Sequence, residues 1–178
     1  MNRKFKTPFY NMPKSEQGVF HNRYQVIPRT LIFITRGEEV LLLKGAPTKR
    51  LWANRFNGIG GHIERGEDVL TAAERELAEE TGLKTKNLRL CGTLMVDADD
   101  QSGIGIYIFK GEYLDGEILP SPEGTPEWVS FKNLSDLPLV EDLRTILPRV
   151  MAFGDSDSPF FGRSYYDPAE KLQVIIRD

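Results

Sequence analysis

Three carboxylates raise the first chemical question. Glu76, Glu79 and Glu80 stand at i, i+3 and i+4 in a stretch of helical periodicity, so they share one face. Like charges at that spacing cost roughly 0.2–0.5 kcal/mol per pair unless something offsets them. From Glu64 to Glu80, seven acidic residues face only Arg65 and Arg75, a net charge of −5. Clustered hard oxygen donors on a rigid helix are what a Mg²⁺ or Mn²⁺ site requires. A solvated acidic helix face shows the same pattern, and spacing alone leaves both open.

The elements that must position these groups are legible from pattern. Asp68 to Thr81 reads as a helix, with Asp68 as N-cap, Gly82 at the position that ends helices, and Val69, Ala72, Ala73 and Leu77 as its apolar stripe. Ahead of it, Thr30–Thr35 and Val40–Leu43 read as a hairpin turning at Gly37. Gly45–Ala53 reads as a polar loop, and Asn57-Gly58 with Gly60-Gly61 mark tightly turned backbone. Leu88–Val96, Ile104–Tyr113 and Glu127–Phe131 read as strands. Leu143 to Met151 has helical spacing, with Pro148 expected to kink that helix or mark its start. Phe160–Tyr166 and Leu172–Ile176 read as a closing strand pair. The alternation predicts a mixed α/β domain.

The glycines frame the carboxylates in a specific way. Gly61, five residues, Glu67, seven residues, then Arg75-Glu76-Leu77-Ala78-Glu79-Glu80-Thr81-Gly82-Leu83 resembles the Nudix (MutT-like) box at each of its fixed positions. The resemblance implies an α/β/α sandwich with a mixed β-sheet and a loop-helix-loop carrying the box. It also implies hydrolysis of a nucleoside diphosphate linked to another moiety. Carried over by position, Glu76, Glu79 and Glu80 would hold divalent ions with the Gly61 carbonyl. Glu67 and Gly82 would be structural, with Glu67 bracing the loop against the helix. Arg75 would position a neighbouring carboxylate, and Glu76 or Glu79 would take the proton of the attacking water. Mg²⁺ is the expected cofactor, with Mn²⁺ an alternative.

Residues outside the box set the substrate. Phe56-Asn57-Gly58-Ile59-Gly60-Gly61 resembles a segment of the mammalian-type 8-oxo-dGTP pyrophosphatase branch, in which the asparagine bonds an oxidised purine. Leu139-Val140-Glu141-Asp142 falls where that branch reads the base with an acidic pair, and Phe160-Phe161-Gly162 resembles a late strand of the same branch. The resemblance therefore implies Asn57, Glu141 and Asp142 as substrate-binding residues and Glu123 as a further metal ligand. A hairpin turn at Asn57, a helix cap at Glu141-Asp142 and an exposed turn at Glu123 remain the structural alternatives. The chain departs from the branch at Leu139 and Phe56, which replace tryptophans, and at His62, which replaces lysine. ADP-ribose and diadenosine polyphosphate branches fit less well, because Asp97–Asp99 and Asp100-Gln101 stand where those carry a proline and a tyrosine. A nucleotide sensor without turnover is a rival that the full set Glu76, Glu79 and Glu80 argues against. An isomerase would need a catalytic cysteine, and Cys91 reads as a core residue.

Composition bounds the rest. With one cysteine in 178 residues no intrachain disulfide can form, and a reducing, cytoplasmic setting fits. The longest apolar runs, Leu31–Ile34 and Val40–Leu43, are far short of a membrane span, and the N-terminus lacks a signal-peptide pattern. A net charge of −3 argues against general nucleic-acid affinity. The expected partner is a nucleotide substrate, with neither nucleic acid nor membrane, in a monomer or homodimer. Residues 1–26 read as a basic, aromatic N-terminal arm and 27–178 as the Nudix domain.

Overall fold

The computed structural model describes residues 22–177 together with Gly18 and Phe20. Nearly all of the stretch read as an arm lies outside the described residues. Strand β1 (Gln25–Arg36) already begins within its last two residues.

The chain runs β1, β2 (Glu39–Gly45), β3 (Phe56–Asn57), α1 (Val69–Thr81), β4 (Lys84–Asp97), β5 (Ser102–Asp115), β6 (Gly124–Ser130), a 3-10 turn, α2 (Leu143–Ala152), β7 (Phe160–Tyr166) and β8 (Leu172–Arg177). All eight strands join one sheet in the order β3-β2-β1-β5-β4-β7-β8, with β6 on the free edge of β2. The β1–β5 and β4–β7 pairs are parallel and the rest antiparallel, so the sheet is mixed.

Side-chain alternation builds two cores. Leu31, Phe33, Val40, Leu42 and Ile108 face Leu143, Ile146, Leu147 and Val150 of α2. Ile32, Ile34, Leu41, Leu43 and Phe109 face Ala73 and Leu77 of α1 on the opposite side. A strand covered on both faces reads as an unbroken apolar run, which is why Leu31–Ile34 and Val40–Leu43 lack polar alternation. The result is an α/β/α sandwich. Pro148 is the sixth residue of α2 and lies inside it, rather than marking its beginning.

One feature of the sheet positions the site. β1 and β2 pair only near their turn, from Ile34 with Leu41 to Arg36 with Glu39, and then splay apart. Residues 56–62 fill the wedge. Asn57 pairs with Leu43 of β2, whereas Ile59 exchanges two backbone hydrogen bonds with Ile32 of β1, at 2.7 and 3.1 Å. Beyond it, the Thr30 N–H donates to the Gly61 carbonyl at 2.9 Å. Gly60 has φ +140, and a Cβ there would lie 2.3 Å from the Thr30 carbonyl oxygen, so no side chain fits. The same segment holds the approach to α2, because Phe56 N–H donates to Pro138 O at 3.0 Å and Val140 N–H to Phe56 O at 2.9 Å.

Candidate active site

Helix α1 forms for local reasons. The Asp68 carboxylate caps its first turn, accepting from Leu70 N–H at 2.9 Å and Thr71 N–H at 3.0 Å, and these bonds, with the Thr71 hydroxyl, hold its pKa below the usual carboxylate range. Gly82 ends the helix at φ 71. Its apolar side buries Ala72, Ala73 and Leu77, so Glu76, Glu79 and Glu80 turn toward the glycine segment at the mouth of the wedge.

Arg75 binds the region together. Its Nε donates to Glu67 Oε1 at 2.6 Å and its Nη2 to Glu67 Oε2 at 3.0 Å, a bidentate pair. Nη1 donates to Glu76 at 2.8 Å and Glu79 at 3.1 Å, and Nη2 also reaches the His62 carbonyl at 3.0 Å. Glu67 in turn accepts from Glu64 N–H at 2.9 Å. The Arg75 guanidinium, and after it the Glu64 amide, hold the Glu67 carboxyl below its ordinary pKa, while Glu67 and then Glu76 fix Arg75 still more firmly as a cation. One guanidinium thus spans loop and helix and offsets the repulsion among the carboxylates.

The three helix carboxylates differ in setting. Glu76 lies against Gly61, where an added Cβ would come within 2.5 Å of its Oε1. The Glu79 side chain is 62% exposed. Glu80 is buried and accepts from Gly60 N–H at 3.0 Å, its one hydrogen bond among the described residues. Burial pushes its carboxyl up to about 7; the Gly60 amide opposes this, while Glu76 and Glu123 add to it.

These groups line a cavity of about 520 Å³ that also contains Asn57, Gly61, Glu123 and Asp142. Every residue predicted to bind metal or substrate lines this cavity except Glu141, while Arg75, Glu67 and Gly82 lie outside its lining. Glu141 is exposed and borders a separate, shallower depression with Arg55 and Arg144. Only Asp142 of the acidic pair faces the cavity. It sits at the N-cap of α2 without a side-chain capping bond, and burial raises its pKa. Asn57 is not a hairpin turn: it lies in β3, and its Oδ1 accepts from Gly58 N–H at 2.8 Å, leaving the amide NH₂ for a ligand. Glu123 pairs with Lys49 across the cavity mouth at 2.5 Å. The Gly61 carbonyl keeps one lone pair beyond its bond to Thr30.

Sequence reading missed two residues. Trp52 was part of a polar loop, yet it lines the cavity, 44% exposed at φ 59. Arg29 also lines the cavity, from β1; a single polar residue at a strand start carried no signal. Cys91 is buried, its Sγ–H donates to Ile108 O at 3.3 Å, and burial pushes its thiol up to about 12. It is a core residue, with no part in the cavity.

Residues 26–150 match the NUDIX domain. The chain belongs to the NUDIX family. Its NUDIX domain is 32% identical over 100 residues to an oxidized purine nucleoside triphosphate hydrolase of Danio rerio, covering 56% of this chain and 63% of that protein. It is 31% identical over 120 residues to an NAD-capped RNA hydrolase, NudC, of Pseudomonas aeruginosa, covering 66% of this chain and 41% of that one. The match thus spans less than two thirds of either relative's length. Among solved structures, a Mutator MutT protein from Bacillus halodurans superposes with a TM-score of 0.71 at 28% identity, over 85% of this chain and 97% of that one. The expected NUDIX architecture, a mixed sheet between helices with a loop-helix-loop, is borne out. No helix among the described residues is long and apolar enough to cross a membrane.

Proposed function

We propose that this NUDIX domain hydrolyses a nucleoside triphosphate to a monophosphate and pyrophosphate, with an oxidised purine such as 8-oxo-dGTP as the leading substrate, in the cytoplasmic nucleotide pool. The observation that carries this reading is that Glu76, Glu79 and Glu80 line the same cavity as Asn57 and Asp142. Hydrolytic groups and a base-reading wall therefore share one space.

Among the described residues, no three His, Cys, Asp or Glu side chains converge into a ready ion cage. The donor set nevertheless suits a hard divalent cation. Glu80 is a carboxylate kept dry with a single hydrogen bond, and Arg75 carries the balancing charge for Glu76 and Glu79. Glu76, Glu79 and Glu80 would hold Mg²⁺ or Mn²⁺, with the free lone pair of the Gly61 carbonyl and with Glu123 from the facing turn. When bound, such an ion neutralises pyrophosphate charge and lowers the pKa of water. Glu76, wedged against Gly61, is the better-fixed ligand. Glu79, the more exposed partner of Arg75, has room to accept a proton from the attacking water. Arg75 and Glu67 position both. At the other end, the Asn57 amide and the Asp142 carboxyl, whose pKa burial raises, offer polar contacts to a purine edge.

The test is a competition assay with Mg²⁺ and equal amounts of 8-oxo-dGTP, dGTP, ATP, ADP-ribose, NADH and diadenosine tetraphosphate, reading initial rates by product chromatography. Preference for 8-oxo-dGTP with monophosphate and pyrophosphate as products upholds the reading. A preference for NADH or another dinucleotide would reassign the substrate and leave the carboxylate site in place.

A further inference from the structure

Arg29 lines the cavity from β1, and its Nε is buried without a hydrogen-bond partner. Among the described residues it forms no ion pair. The neighbouring cations are committed otherwise: Lys49 pairs with Glu123, Arg55 donates to the Leu139 carbonyl, and Arg75 is held by three glutamates. A buried N–H without an acceptor costs free energy that folding has to absorb, so a persistent orphan donor in a cleft points to a ligand that supplies the acceptor.

The sheet determines which part of a ligand Arg29 meets. Side chains alternate along a strand, so Arg29 shares a face with Leu31 and Phe33, the face covered by α2. Helix α1, with Glu76, Glu79 and Glu80, covers the other face, where Ile32 and Ile34 point. Of the three cavity cations, Arg29, Lys49 and Arg55, it is Lys49 that acts on the Glu80 carboxyl. Across the sheet, Arg29 is in register with Ile106, and Ile106, Leu31 and Val140 line the cavity with it. Apolar walls around one orphan guanidinium suit a flat ring bearing an acceptor, whereas a phosphate chain belongs with the carboxylates and their ion.

We propose that Arg29 is a specificity-determining residue that donates to a carbonyl oxygen of the nucleobase, so that the cavity selects oxygen-bearing purines over adenine. The inference rests on the nucleotide-hydrolase reading above and deepens it. Guanidinium is donor-only. Guanine offers O6, and its C8-oxidised form offers O8 as well. Adenine has no carbonyl and presents its N6 amino group to an already donor-rich wall. Discrimination by such a contact is worth roughly 10- to 100-fold.

The experiment measures dissociation constants of 8-oxo-dGMP, dGMP and dAMP by calorimetry for the wild type, Arg29→Lys and Arg29→Met, with thermal unfolding of each. The wild type is expected to bind a carbonyl-bearing nucleotide at least tenfold more tightly than dAMP. Arg29→Met is expected to lose that margin, to shift dAMP less than threefold, and to keep or raise its Tm, since it removes an unsatisfied buried donor. Arg29→Lys keeps the charge but not the fork and should recover only part of the margin. Loss confined to 8-oxo-dGMP assigns the C8 oxygen and loss on both assigns the C6 oxygen; either upholds the proposal. Equal weakening of all three nucleotides would make Arg29 a phosphate contact and overturn it, as would an unchanged preference in Arg29→Met or a wild type indifferent to the base. A wild type that binds no nucleotide defeats the functional reading itself, a result distinct from these.

Discussion

The two ends of the cavity are built on different plans. Apart from Glu123, the α1 end comes from one continuous stretch, Gly60 to Gly82, and Arg75 binds most of its charged groups together with five hydrogen bonds, to Glu67, Glu76, Glu79 and the His62 carbonyl. The α2 end draws Arg29 from β1, Asn57 from β3 and Asp142 from the start of α2. Its polar groups are under-bonded, with an orphan Nε on Arg29 and no capping bond from Asp142. A self-satisfied end holds its geometry before any ligand arrives. An end with open donors is finished by what binds there. That difference suits chemistry at the first end and selection at the second.

Breaking the α1 end should have the largest effect. Glu79→Gln with Glu80→Gln removes two hard anionic donors while keeping shape, and kcat is expected to fall by at least about 10³-fold with the circular dichroism unchanged. An active double variant would remove the assignment of this helix face. Glu67→Gln weakens the bidentate anchor of Arg75 without touching the carboxylates on α1. A loss of roughly 10- to 100-fold in kcat with little change in KM is expected, because geometry rather than substrate contact is lost.

The α2 end should answer differently. Asp142→Asn is expected to raise KM for 8-oxo-dGTP by about tenfold and to flatten the preference over dATP, whereas Glu141→Gln, one residue away and outside the cavity, should stay within twofold. Equal effects of the two would mean that the pair acts through the charge of the helix terminus.

The smallest effect is on stability, and it carries a sign. The Glu80 carboxyl has a folded pKa of about 7 against 4.5 for the free group. Between those values the metal-free folded state keeps a proton that the unfolded chain releases. Stability therefore falls as pH rises from about 4.5 to 7, and the penalty is complete above that. Its size is about 1–3 kcal/mol. Glu80→Gln removes the penalty, so its Tm in chelator should match wild type near pH 5 and exceed it at pH 8 by roughly 2–10 °C. Added Mg²⁺ should narrow the gap by stabilising the wild type. A variant that is more stable yet inactive would mark Glu80 as retained for function.

Much of this was legible along the chain because the interactions behind it are local. The Asp68 cap, the Gly82 end and the i, i+3, i+4 face of Glu76, Glu79 and Glu80 depend on neighbours within a turn or two, and their residue types declare them. The strands were legible as apolar runs, although β1 and β4 extend beyond their runs because sheet pairing carries polar residues along. The second end of the cavity was not legible in this way. Glu141 and Asp142 are adjacent and alike in sequence; which of them faces the cavity was decided by the pairing of Phe56 with residues 138–140, more than 80 positions away. Asn57-Gly58 has the composition of a turn, yet the splaying of β1 from β2 puts Asn57 in a strand. Arg29 and Trp52 became cavity residues only through the sheet and the 46–55 loop closing around them. The sequence by itself determined the helix, its caps and its row of carboxylates, since hydrogen bonds within a helix connect near neighbours. The tertiary structure decided which groups face the cavity and which donor is left without an acceptor, since those depend on register between strands that the chain brings together from a distance.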